Sequence, residues 1–385
     1  MRKTQTCSRR NFLKATSIGI VAAGERSVLT ASNTQIDVYP IVGVDRCRRY
    51  DFAEVKNSLS RLFDWIGGAA SLVKGKTVAI KVNLTSYRSA GVYTLSTVET
   101  VYTHPIVVLA ACALFQDYGA RRIVICESNP TNDETRESFN RQYYDVALFE
   151  SMIQNLEWEN TRNKGTGSRY MTMPVGDGAY FYKSFDLNHR YYDTDVFVSI
   201  AKMKNHDIAG ITLTMKNLFG IAPNAIYGDP GNEQATTIRN MFHNGKTRPA
   251  ADGEILPVAS NDPGYRIPRI VVDLNRARPI DLAIIDGITA QMGGEGAWNG
   301  AQIGFAVPHV LIAGQNCVAV DAVGAAIMGF DPLAEDFSKP FYNAANTLRL
   351  AAEQGLGSNN LNEIDVVGLS VKEARYNYLP GKKNR

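Results

Sequence analysis

The sequence predicts an α/β fold: a mainly parallel sheet flanked by helices, with a long irregular insertion. Three observations predict it. Short runs dense in Val and Ile recur along the chain, as in VAIKVNL (78–84), RIVICE (122–127) and DLAIID (281–286), and apolar runs of that length read as buried strands. Longer apolar runs lie between them with helix boundaries, Pro105 opening one and Gly119 stopping it. Strand–helix–strand order, repeated, implies βαβ units and parallel pairing.

Taken in order, residues 78–84 predict a strand, 105–118 a helix and 122–127 the next strand. Residues 129–158 are polar and read as helical in part. Residues 161–178 are glycine-rich and loop-like, and the aromatic stretch 180–192 reads as a hairpin or packing flap. Residues 195–201 predict a buried strand, and 208–219 a helix stopped at Gly220. The insertion spans 223–268 and is rich in Gly, Asn, Asp and Pro; loops of this length are commonly lids or binding loops. Residues 281–286 and 309–313 are two more strands. Asn316 caps a helix over 317–328 that closes at Gly329. A helix over 344–354 and a strand over 364–367 complete the fold. Residues 33–385 are expected to form a single elaborated domain, with a candidate sub-division near 160–195.

Residues 1–32 read as a twin-arginine export signal. Arg9-Arg10 and then Phe12-Leu13-Lys14 precede an apolar run over 15–24, which suits a signal peptide and is too short to span a bilayer. The expected location is periplasmic or otherwise exported, with the twin-arginine translocase as partner during export. The chain carries 41 basic and 38 acidic side chains. Arg2, Lys3, Arg9, Arg10, Lys14 and Arg26 fall in the signal against Glu25 alone, so the rest of the chain is mildly acidic. A nucleic-acid footprint needs a basic patch or stripe; with no such run, nucleic acid is not an expected partner. No later run is long and apolar enough for a transmembrane anchor after cleavage.

Cys47, Cys112, Cys126 and Cys317 are widely spaced, with no Cys-x-x-Cys. A cysteine-ligated iron–sulfur cluster is therefore not expected. Cys112, Cys126 and Cys317 lie in apolar segments and read as buried small hydrophobes.

In open parallel sheets the ligand crevice lies beyond the carboxyl ends of the strands. Here those ends read Lys81-Val82-Asn83, Glu127-Ser128-Asn129, Lys202-Met203-Lys204-Asn205-His206 and Asp286-Gly287. Lys202, Lys204 and His206 alternate, so an extended chain puts all three on one face, where they suit a phosphate, sulfate or carboxylate. Strand ends also meet water, which gives a purely solvated rim as the other reading. Lys216 is the lone charge of the apolar run 208–219, and Asp321 the lone charge of 317–328. Buried charges need partners, so the two either pair directly or project into one site. Gln291–Gly300 (QMGGEGAWNG) is a glycine-rich loop or a flexible turn, with Glu295 at its centre. Of the five histidines, His104 reads as a helix cap and His189 and His309 as structural, leaving His206 and His243 as site candidates. Asp286, Glu295 and Asp321 offer oxygen ligands for a divalent metal, although no His-x-His or His-Glu-x-x-His spacing accompanies them. No Gly-x-Ser-x-Gly nucleophile motif occurs, and as a phosphate loop Gln291–Gly300 lacks a Gly-Lys-Ser/Thr ending.

Lys81-x-Asn83, Thr103-His104-Pro105, Lys202-x-Lys204-x-His206, Thr212-x-x-x-Lys216-Asn217-Leu218-x-Gly220, Asp286-Gly287, Glu295-Gly296 and Val320-Asp321-Ala322 occur in that order. Together they resemble the domain-of-unknown-function family 362 over about residues 75–370. The resemblance implies a shared site built on Lys81, Lys204, His206, Lys216, Asn217, Asp286, Glu295 and Asp321, and no established reaction.

The expected function is an exported enzyme acting on a small anionic substrate. Lys81, Asn83, Lys202, Lys204 and Asn217 would bind the anion, and His206, Lys216, Asp321 and Glu295 would form the catalytic group. Asp286, Glu295 and Asp321 are the metal candidates if a divalent metal is the cofactor. A non-catalytic periplasmic ligand-binding or cofactor-carrying protein is the alternative.

Overall fold

The computed structural model describes residues 39–85, 95–129, 131, 133–162, 169–228, 240–243, 254–255, 262–296 and 303–383. The twin-arginine motif and much of the insertion therefore lie outside the described residues.

One sheet of eight strands forms the centre: β1 (Ile41–Arg46), β2 (Thr77–Lys81), β3 (Arg122–Glu127), β4 (Leu156–Asn160), β5 (Val196–Lys202), β6 (Leu282–Gly287), β7 (Val310–Gly314) and β8 (Asp365–Gly368). Their spatial order is β8-β1-β7-β6-β5-β2-β3-β4. β7 is antiparallel to both β1 and β6, and every other pairing is parallel. The mainly parallel α/β sheet is thus present. β2, β3, β5 and β6 are buried along nearly their whole length, which is why they read as continuous Val/Ile runs.

Alternate residues feed two cores. Val78, Ile80, Ile123, Ile125, Val198 and Ile284 enter the layer that holds α1 (Phe52–Trp65) and α2 (Pro105–Asp117). Ala79, Val124, Phe197, Ala283, Ile285 and Ile312 enter the opposite layer, with α3 (Pro263–Ala277) and α4 (Cys317–Ile327). Among the described residues, no helix is long and apolar enough to cross a membrane.

The caps are as expected. The His104 side chain accepts from Ile106 N with Pro105 at the first turn of α2, and Gly119 follows with φ +82°. Asn316 accepts from Ala319 N at the start of α4, and Gly329 follows it with φ +85°. All four described cysteines are buried and free.

The helix expected over 208–219 is overturned. Lys204–His206 and Gly210–Thr212 pair as an antiparallel hairpin, followed by one helical turn at Thr214–Asn217 and a 3-10 turn at Leu218–Ile221. Gly210 turns the hairpin at φ +78°, where a Cβ would come within 2.9 Å of the Pro340 oxygen and the Phe341 ring. Ile211, Leu213 and Met215 alternate with Thr212 and Thr214, a period of two that an apolar count reads as helix. β1 and α1 were not foreseen, and α3 occupies the end of the stretch assigned to the insertion. The 161–178 loop contains the strand Tyr170–Pro174, which pairs antiparallel with Ser184–Asn188; the aromatic stretch is thus half of a hairpin, with Phe185 and Leu187 in the α4-side core.

Candidate functional site: a lysine-rich rim

The parallel register delivers polar strand ends to one edge. Asp286 of β6 stands opposite Lys202 of β5, and Lys81 of β2 stands between Ser199 and Cys126. Lys81, Asn83, Glu127, Lys202, Lys204, Asn217 and Asp286 are all buried there.

Lys81 Nζ lies 2.7 Å from Glu127 Oε1 and donates to Asn217 Oδ1 at 3.2 Å. Glu127 also accepts from Leu84 N and Ser128 N, so the pair is held from several sides. Asn217 locks the arrangement: its amide donates to the Lys81 carbonyl and Ser199 Oγ, while its oxygen receives Lys81 Nζ and Asn83 Nδ2. Gly220 closes over the pair. A Cβ at that position would sit 3.1 Å from both Lys81 Cε and Nζ.

Lys202 and Asp286 form a second pair at 2.9 Å with both side chains fully buried. Tyr50 bridges them: its hydroxyl receives Lys202 Nζ at 2.8 Å and donates to Asp286 Oδ1 at 3.0 Å. Asp286 also accepts from His104 N and Ile288 N. The His104 ring stacks on Tyr50 with centroids 3.6 Å apart; burial, with Lys202 nearby, pushes its pKa down to about 2. Burial also lowers the Lys202 pKa, against the pull of Asp286.

Lys204 differs from both. It is fully buried, and its ammonium donates to two neutral acceptors, Val101 O at 3.0 Å and Thr85 Oγ1 at 3.3 Å. Burial brings its pKa down to about 7, opposed by Glu295 and assisted by Lys202 and Lys216. Among the described residues no carboxylate contacts it; a buried ammonium so placed is costly, and such groups concentrate at functional sites.

His206 Nδ1 accepts from both Ile208 N and Ala209 N at 3.1 Å. That leaves the proton on Nε2, which lies 2.6 Å from Glu295 Oε2. Burial pushes His206 down to about 4, against Glu295. Glu295 is pushed down to about 2, burial being outweighed by His206, Lys216 and Lys204. The pair therefore rests as a neutral imidazole orienting a carboxylate. His206 thus faces two backbone amides on its Nδ1 side and the Glu295 carboxylate on its Nε2 side.

Among the described residues, Asp321 forms no ion pair with Lys216. Its oxygens accept from Thr214 N at 2.8 Å, Thr214 Oγ1 at 2.6 Å and Met215 N at 2.9 Å. Asp321 thus anchors the turn that carries Lys216 and Asn217, and burial raises its pKa to about 7. Lys216 Nζ stands 4.2 Å over the Phe219 ring. His243 meets the same ring at 5.5 Å.

The three carboxylates weighed as metal ligands are in three separate surroundings: Asp286 on Lys202 and Tyr50, Glu295 on His206, Asp321 on Thr214 and Met215. Among the described residues, no group of three or more His, Cys, Asp or Glu side chains could hold a metal ion. The glycine-rich loop is described only as far as Gly296.

Tyr50, Thr85 and Thr289 escaped sequence reasoning. Tyr50 and Thr289 touch at 3.1 Å, yet lie far apart in the chain and in no motif. The short run IVGVDR that forms β1 is the sequence signal that leads to Tyr50 at the rim.

A mostly parallel α/β sheet with buried lysine–carboxylate pairs at its strand ends defines the class of protein. Residues 78–326 match the family described as Domain of unknown function (DUF362), and the chain belongs to that family. It is 25% identical over 321 residues to a thylakoid-associated protein of Synechocystis sp., spanning 83% of this chain and 80% of that protein. Two solved structures are also similar. The lactate racemase apoprotein of Thermoanaerobacterium thermosaccharolyticum has 15% identity and a TM-score of 0.36, covering 65% of this chain and 51% of that one. A Thermotoga maritima protein has 14% identity and a TM-score of 0.36, covering 69% and 56%. The chain thus spans only about half the length of those two proteins.

Proposed function

We propose that this protein is an enzyme that binds a small anionic substrate at Lys204 and transfers a proton there. One observation carries the reading: a fully buried lysine whose acceptors among the described residues are neutral, pushed to about 7. As an ammonium it attracts a carboxylate or phosphate; as an amine it accepts a proton at neutral pH, where an acid–base group is most effective. Lys202–Asp286 and Lys81–Glu127 flank it as neutralised pairs that fix geometry. Glu295, oriented by His206, is the negative group that sets the local field.

The test uses the purified chain against small carboxylates and phosphates, with binding by calorimetry and turnover by proton NMR. Binding and turnover in the wild type, both reduced at least about 100-fold in Lys204→Met, are expected. Binding without product assigns a non-catalytic ligand-binding role and overturns the enzyme reading. No binding overturns the anion site.

We propose further that residues 1–32 direct export by the twin-arginine route, on the strength of Arg9-Arg10 ahead of an apolar run. Replacing both arginines with lysine is expected to retain the protein in the cytoplasm on fractionation. Unchanged export would contradict it.

A further inference from the structure

The bonds around Asn217 determine which way the neighbouring amide faces. Ser199 Oγ gives its proton to Thr214 O at 3.0 Å, so toward Asn217 it is an acceptor. The Lys81 carbonyl can only accept. Both are met by Asn217 Nδ2, each at 3.1 Å. Asn217 Oδ1 therefore faces Lys81 Nζ and Asn83, and Asn83 must present its NH2 to it. The same NH2 reaches Thr85 Oγ1 at 3.1 Å. Asn83 Oδ1 is left buried, with no donor among the described residues. It stands on a residue 7% exposed, one hydroxyl away from Lys204, because Thr85 Oγ1 also receives Lys204 Nζ. Buried acceptors are nearly always paired in native proteins, and an unpaired one calls for an explanation.

We propose that the site takes an anion that also carries a hydroxyl or amino group, the negative group resting on Lys204 and the donor on Asn83 Oδ1. This rests on the anion-site reading above and names its substrate class. A simple anion without a donor would satisfy Lys204 and leave the Asn83 oxygen buried and unbonded. A site built to hydrogen-bond a hydroxyl rejects the analogue that lacks it.

Two matched pairs of probes test this on the full chain at pH 6.5: 2-hydroxyethyl phosphate against ethyl phosphate, and glycolate against acetate. Affinities are read by calorimetry in the wild type and in Asn83→Leu. In at least one pair the hydroxyl-bearing member is expected to bind the wild type about tenfold tighter or more, with the ratio falling to within about twofold in Asn83→Leu. If Asn83→Leu does not fold, the wild-type ratio alone decides. Equal affinities within both pairs overturn the donor subsite and leave the anion site standing. Failure of all four probes to bind overturns the anion site, and this inference with it.

Discussion

Lys204 and Asn83 share one hydroxyl: Thr85 Oγ1 lies 3.3 Å from Lys204 Nζ and 3.1 Å from Asn83 Nδ2. Through Asn217 the same chain of bonds continues to Lys81 and Glu127. A ligand that moved Lys204 would therefore be felt across β5, β2 and β3. The network joins groups that come from four separate stretches of the sequence.

Lys202→Met is expected to destabilise the protein by about 3–5 kcal/mol, because it strands the Asp286 charge in a fully buried position. Tyr50→Phe removes one bridging hydroxyl and should cost only about 1 kcal/mol. Urea unfolding of both variants checks the order. Equal losses would contradict the pair as the main element.

Gly220→Ala places a methyl 3.1 Å from Lys81 Cε and Nζ. Lys81 is pinned by Glu127 and Asn217 and cannot swing away freely. A loss of about 1–3 kcal/mol is expected, with reduced anion affinity as the pair shifts. Wild-type stability and affinity together would show the space to be open.

Asp321→Asn exchanges one acceptor oxygen for an NH2 among three donors, at an expected cost of about 1–3 kcal/mol. The pH dependence has a fixed sign. Asp321 titrates at about 7 in the fold against an ordinary value of 3.8, so between those values the folded state holds a proton that the unfolded state has lost. Its contribution is fully present below about 4 and falls as pH rises through 7. The stability gap between wild type and variant should be larger at pH 5 than at pH 8, by thermal melts in matched buffers. A gap that widens with pH would contradict the buried, raised carboxyl.

Much of the sheet was legible because β2, β3, β5 and β6 are buried on both faces and so are written as unbroken apolar runs. Their polar ends named Lys81, Lys202, Lys204 and Asp286 as one rim, and the register joins Lys202 to Asp286. What stayed hidden was pairing. Lys216 and Asp321, each the lone charge in an apolar run, read either as a direct pair or as two members of one site, yet Asp321 bonds a turn that the sequence presents as the middle of a helix. Hairpin and helix are hard to separate where Thr and Ile alternate beside a glycine. Tyr50 and Thr85 contribute through contacts between distant loops, which no local pattern encodes.

The most direct measurement is the titration of Lys204 itself, by NMR of the chain with carbon-13 at lysine Cε and Lys204→Met for assignment. The account predicts a midpoint near 7 that rises when inorganic phosphate is added, since an anion favours the ammonium form and proton and anion affinity are reciprocally linked. A midpoint near the ordinary lysine value of 10.5, or one indifferent to phosphate, would contradict it.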